Sequence, residues 1–183
     1  MQPSTPMPDP SAAAPSRPAP DAETIAFAQK IFHFARTGDA EGLAPMLERG
    51  LPPNLRNQKG DSLLMLAGYH GHREAVRVLL AHGAAPDIYN DMGQTPLGAI
   101  AFKGYADIVE LLLDHGAGID FAAPGGKTAL MFAAMFNRTG IVELLAARGA
   151  DLGLRGADGL SALDLARSMG AADAAARLES LGA

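Results

Sequence analysis

A few constellations in this 183-residue sequence carry residue types that could do chemistry. Gly125-Gly126-Lys127-Thr128 ends like a loop that cradles phosphate on its backbone N–H groups with a lysine alongside. Such a loop needs a further glycine five positions before Gly126, and that position is Phe121, so no nucleotide site is expected. His70-Gly71-His72 offers two imidazoles for a metal ion, and His82 with His115 offers a pH-sensitive or weakly metal-binding pair. Ser62, Thr95, Thr128 and Ser161 supply hydroxyls. However, there is no Gly-x-Ser-x-Gly elbow, no His-Glu-x-x-His and no isolated acidic pair to activate a nucleophile or a water. The absence of cysteine excludes disulfides, thiolate metal sites and cysteine nucleophiles. The chain reads as non-catalytic and free of cofactors.

Composition narrows the classes further. A net charge of −5 and a pI near 5.4 argue against a broad phosphate-binding surface, so no nucleic-acid partner is expected. The longest apolar run, Ala129–Phe136, has eight residues, against the roughly 18 needed to span a membrane. No basic stretch followed by an apolar one opens the sequence, so a secretory signal is not expected and a cytoplasmic location is. Seven of the 13 prolines fall in the first 20 residues, and no glycine precedes Gly38. This Pro/Ala/Ser segment cannot offset its ordering entropy by burial, so residues 1–23 are expected to be a disordered tail. Pro3-Ser4-Thr5-Pro6 within it has the form of a polyproline docking motif but reads more simply as linker.

What positions the remaining residues is a repeat. Gly60-Asp61-Ser62-Leu63-Leu64 recurs as Gly93-Gln94-Thr95-Pro96-Leu97, Gly126-Lys127-Thr128-Ala129-Leu130 and Gly159-Leu160-Ser161-Ala162-Leu163, each 33 residues after the last. Gly83-Ala84, Gly116-Ala117 and Gly149-Ala150 hold the same spacing, as do Gly71, Gly104 and Asn137. Each column has a physical role. The hydroxyl caps a first helix, with Pro96 suited to its first turn. Gly71, Gly104 or Asn137 ends that helix in a left-handed conformation. An apolar block such as Ile108-Val109-x-Leu111-Leu112-Leu113 forms a second helix, which Gly116 ends. A projecting turn leads to the next copy.

These residues resemble the ankyrin repeat: its 33-residue period, its Gly-x-Thr-Pro-Leu-His opening, its Gly-His junction and its Gly-Ala-Asp exit. Asp91–Ala122 is the fullest copy, while Met65, Gly98, Met131 and Asp164 replace the opening histidine. The resemblance implies an all-α solenoid of about five helix-turn-helix units with projecting β-turn or hairpin loops. The units fall near 24–56, 57–89, 90–122, 123–155 and 156–183, with the first and last as caps. A helix capped near Asp21–Thr24 is expected to bury Phe27, Ile31 and Phe34. Pro45 is expected to delay or kink the second helix of that unit. Asp164, Arg167, Asp173, Arg177 and Glu179 give the last unit a wetter outer face.

The same resemblance implies a concave face, made of first helices and projecting turns, that binds other proteins. The columns at the end of the first helix read Tyr69, Phe102, Met135, Ser168 and His70, Lys103, Phe136, Met169. Some of these side chains, Phe136 foremost, have the alternative of leaning back to seal the inter-repeat core. As a group they form an aromatic and methionine ladder, and such anchors are enriched in interface hot spots. A partner-binding groove is therefore expected at Tyr69, Phe102 and Met135, flanked by Tyr89, Met92 and Phe136. Lys59, Lys103 and Lys127 favour an acidic segment on the partner. The chain is expected to act as a monomeric adaptor or inhibitor of another protein, or alternatively as an assembly or stability factor for one enzyme. An enzymatic role stands a distant third.

Overall fold

A computed structural model describes residues 21–183 of the chain. The proline-rich segment, with its expected disorder and its docking motif, lies outside the described residues. Among those described are ten helices in five pairs: α1 Ala22–Thr37 with α2 Ala40–Glu48, α3 Leu63–Tyr69 with α4 Arg73–Ala81, α5 Pro96–Lys103 with α6 Ala106–Asp114, α7 Ala129–Met135 with α8 Thr139–Ala147, and α9 Ala162–Ser168 with α10 Ala172–Leu181. None is long and apolar enough to cross a membrane.

The helix starts follow from side-chain capping. Ser62, Thr95, Thr128 and Ser161 each accept the N–H three residues on, at 3.1, 3.0, 3.3 and 3.2 Å. These hydroxyls are all buried, so each pairs a donor that water could not reach. Asp21 and Asp39 do the same for α1 and α2. Asp164, in the opening-histidine column, adds a reciprocal bond to the Ser161 N–H at 3.0 Å and completes a capping box.

The helix ends follow from left-handed residues. Asn137, with φ of 54°, is the non-glycine residue that takes this conformation at a helix–helix junction. Its side chain then reaches the next unit, where Oδ1 accepts the Ala174 N–H at 2.8 Å and Nδ2 donates to Asp173 at 2.9 Å. Helix α10 has no side chain of its own at its N-cap, and Asn137 supplies the missing acceptor.

First helices stack on first helices, α1–α3–α5–α7–α9, and second on second, α2–α4–α6–α8–α10. The shared core runs between the two rows through Ile31, Leu63, Leu64, Leu79, Ile100, Leu112, Leu130 and Leu145, each essentially sealed from water. The projecting turns are bonded across units by a third periodic column. Asn54 accepts the Ala85 N–H at 2.8 Å, Asp87 the Gly118 N–H at 3.1 Å and Asp120 the Asp151 N–H at 3.1 Å. Strand character in these turns is limited to isolated antiparallel bridges, Arg56 with Ser62 and Arg155 with Ser161.

The first unit departs from its expected packing in two ways. Phe27 is half exposed rather than buried, and Phe34 is only partly covered, while Ile31 is sealed. The reason is length. Helix α1 begins eight residues before the position equivalent to the start of α3, so Phe27 lies on an overhang with no neighbouring first helix beside it. Pro45 does not delay α2, which starts on the Asp39 cap and runs to Glu48 with the proline inside it. The proline sits on the exposed side of a short helix, so the Glu41 carbonyl, which loses its N–H partner, belongs to an exposed residue.

Candidate protein-recognition surface

The ends of α3, α5 and α7 bring three aromatic rings into sequence along one face. Tyr69 and Phe102 lie nearly parallel, with centroids 6.4 Å apart and 16° between planes. Phe102 then meets Phe136 edge to face at 4.5 Å and 81°. These geometries place positive ring edges and negative faces in attractive register. The register follows from the repeat, which sets equivalent first-helix positions side by side, and Phe136 enters one residue later as the residue ending α7.

Beside this ladder is a groove of about 440 Å³. Its floor is Met65, Leu66, Ala99 and Phe132, its wall is Tyr69, Phe102 and Phe136, and its rim is Lys59, Asp61, His70, Asn90, Met92 and Gln94. Gly98 gives Phe132 its place, because a Cβ there would stand 3.0 Å from the Phe132 ring. The rim is rigid on the turn side. Asn90 is buried and accepts the Met92 and Gln94 N–H groups at 3.1 and 3.0 Å while donating to Asp61 at 2.8 Å. Met92, by contrast, is the most exposed large apolar side chain among the described residues, at 72%.

The expected site residues are thus partly brought together. Tyr69, Phe102, Phe136, Met92 and Lys59 meet at the groove, and the Lys103 Nζ lies 4.9 Å from the Tyr69 ring centre as a cation over its face. Met135 is absent from the groove and packs, half-buried, against the core. Phe136 takes the other role: it stays 39% exposed instead of leaning inward. Tyr89 stands exposed on its turn, outside the groove, where its carbonyl accepts from Arg56 at 3.1 Å. Lys127 is bonded to Asp158 at 3.0 Å and is not available in the way that Lys59 and Lys103 are. Phe132 and Asn90 also line the groove, and sequence reasoning missed them. Phe132 shares its column with Leu66, Ala99 and Leu165, which read simply as core.

Electrostatics single out one group. His70 stacks on His72 at 6.2 Å and touches Tyr69 edge-on at 5.5 Å. Partial burial holds its pKa below the ordinary histidine value, with the positive charges of His72, Lys103 and Arg36 adding to the effect. The other candidate histidines are engaged locally. Nδ1–H of His82 donates to the Val78 carbonyl at 2.8 Å and that of His115 to the Leu111 carbonyl at 2.9 Å, each closing the end of its own helix. His72 donates through Nε2 to the Arg36 carbonyl at 2.8 Å, tying α4 to the first unit. Thr128 of the glycine-rich stretch is committed as the α7 cap. Among the described residues, no three His, Cys, Asp or Glu side chains are grouped to hold a metal.

Paired helices repeated at 33 residues, with a grooved face of first helices and turns, define a helical repeat solenoid. The family of ankyrin repeats in three copies matches residues 31–124, and that of ankyrin repeats in many copies matches residues 112–166. This chain belongs to the ankyrin repeat family, whose members generally mediate protein–protein interaction. It is similar to an ankyrin repeat protein of Pseudomonas aeruginosa, with 57% identity over 61 residues, which cover 33% of this chain and 36% of that relative. The matched stretch therefore spans about a third of the relative's length.

Proposed function

We propose that this protein is a non-catalytic recognition module. It holds a segment of another protein against the Tyr69–Phe102–Phe136 ladder and acts as an adaptor or inhibitor of that protein, as a monomer. The observation that carries the reading is the exposure of the ladder. Tyr69 and Phe136 keep 38% and 39% of their surface in water, although Met65 and Leu66, one turn before Tyr69, are buried. Stacked rings lose little conformational freedom on binding, so their burial by a partner is only weakly opposed by ordering. Lys59 at the rim and Lys103 over the Tyr69 ring have no carboxylate within ion-pairing distance among the described residues, which favours an acidic segment on the partner.

The test is quantitative capture of a partner by the full chain and by its Tyr69→Ala, Phe136→Ala double variant, with the captured protein identified by mass spectrometry. Stoichiometric retention of one protein by the parent, and its loss by the variant at unchanged folding, is the expected result. Equal retention by both proteins overturns the assignment of the ladder.

A further inference from the structure

A second cavity is larger than the aromatic groove. It lies against the first unit, with a volume of about 600 Å³, between helix α1 and the first projecting turn. It exists because α1 is 16 residues long where α3, α5, α7 and α9 have seven or eight. The additional N-terminal turns run out beside residues 56–61 and form a wall that the later units lack. Ile25, Ala28 and Phe32 from α1 and Leu66 from α3 supply its apolar lining. Ile25 is 45% exposed where it lines the basin.

The charge on this basin runs against the charge of the molecule. Arg36, Arg56 and Lys59 line it with Asp61 as its one carboxylate, in a chain whose net charge is −5. Asp61 is internally satisfied, accepting from Asn57 at 3.1 Å and from Asn90 at 2.8 Å. Arg56 is pinned to Asp91 at 3.2 Å and to the Gly60 carbonyl at 2.9 Å, so it presents a fixed rather than a searching charge. Arg36 and Lys59 have no ion pair among the described residues. An apolar trough with a net positive rim fits a ligand that pairs large apolar side chains with carboxylates.

We propose that this basin is a second recognition site, taking an acidic peptide segment anchored by apolar side chains, and that it continues the aromatic groove. The two cavities share Lys59, Asp61 and Leu66, so one extended segment can cross from the ladder into the basin over that sill. The kind of ligand rests on the protein-recognition reading above, whereas the site does not use the ladder.

The probe is a displayed library of random 12-residue peptides selected on the full chain. The expected winners combine Asp or Glu with Leu, Ile or Phe. Their affinity falls at least tenfold on Ile25→Asp or Arg36→Glu, both exposed positions whose substitution leaves the core intact, whether or not it also responds to Phe136→Ala. Benzoylphenylalanine placed at position 25 of the full chain then reports the occupant directly by photo-cross-linking to the selected peptide.

Winners that respond only to Phe136→Ala would leave the recognition reading standing and overturn the basin. Enrichment of basic or uncharged peptides would overturn the basin as well, and failure to enrich any peptide would count against both. Cross-links from position 25 to residues 1–20 of the same chain, or to a second copy, in place of the peptide would assign the basin to that occupant and overturn the proposal.

Discussion

Phe136 stands edge-on to Phe102 at 4.5 Å while keeping more than a third of its surface in water. The contact spans two repeats and joins a residue of α5 to the residue that ends α7. Burial of Phe136 by its own core was the obvious alternative, and the neighbouring Met135 takes that place instead. An aromatic ring stacked on one side and wet on the other is a surface waiting for area, since each ring buries roughly 150–250 Å² when fully covered. Replacing Phe136 by alanine should therefore leave thermal unfolding within about 1 kcal/mol of the parent. Partner affinity should drop about tenfold or more, as measured by calorimetry.

His70 carries a second prediction. Partial burial and the facing charges of His72, Lys103 and Arg36 lower its folded-state pKa, while Tyr69 adds no charge. The folded state then binds fewer protons than the unfolded chain near that pKa, so stability rises with pH across it. On acidification the contribution is lost between the ordinary value of about 6.5 and the lowered folded value. Carbon-bound ring protons followed by NMR should titrate below the ordinary midpoint, and His70→Gln should flatten the stability profile in that window. Capture of an acidic segment should raise the His70 midpoint again.

Asn137 does two jobs that substitutions can separate. Its left-handed backbone costs an ordinary side chain about 1–2 kcal/mol. Its side chain caps α10 through Ala174, worth about 1 kcal/mol. Asn137→Ala should lose both, destabilising by roughly 2–3 kcal/mol, counting each at these values. Asn137→Gly should lose only the cap, at about 1 kcal/mol. Denaturant unfolding of the two variants checks the order. Equal losses would mean that the backbone conformation contributes nothing.

Gly68 tests how tightly the first-helix row is packed. A Cβ on it would collide with the Ile100 Cδ1 and lie 2.9 Å from its Cγ1, and Ile100 is completely buried. Gly68→Ala should gain about 1 kcal/mol of helix propensity and lose about 1–3 kcal/mol to overpacking, for a net loss near 1 kcal/mol. The paired variant Gly68→Ala, Ile100→Val should recover part of it. A stabilised single variant would show that the row has slack.

The architecture was legible in the sequence because its signals repeat. Capping hydroxyls at Ser62, Thr95, Thr128 and Ser161, and the glycines with Asn137, state the same local physics four times over, so errors at one copy are corrected by the others. The first unit has no such redundancy. Its long α1 and the exposure of Phe27 depend on how far the helix outruns its neighbour, which no periodic column encodes. The candidate groove's position was legible at the same level. Tyr69, Phe102 and Phe136 were found by column, because a column fixes the Cα position. The exchange between Met135 and Phe136 escaped, as did the part played by Phe132 beneath Gly98. Each turns on which adjacent side chain faces inward and on the absence of one Cβ.

The most direct test of the account is the binding of one captured partner, compared by calorimetry for the full chain and for its Tyr69→Ala, Phe136→Ala variant. Both proteins are first shown to unfold at the same denaturant midpoint. The account predicts an affinity loss of about a hundredfold or more for the pair, as two hot-spot aromatics are removed together. An unchanged dissociation constant would contradict it and move the recognition surface off the ladder.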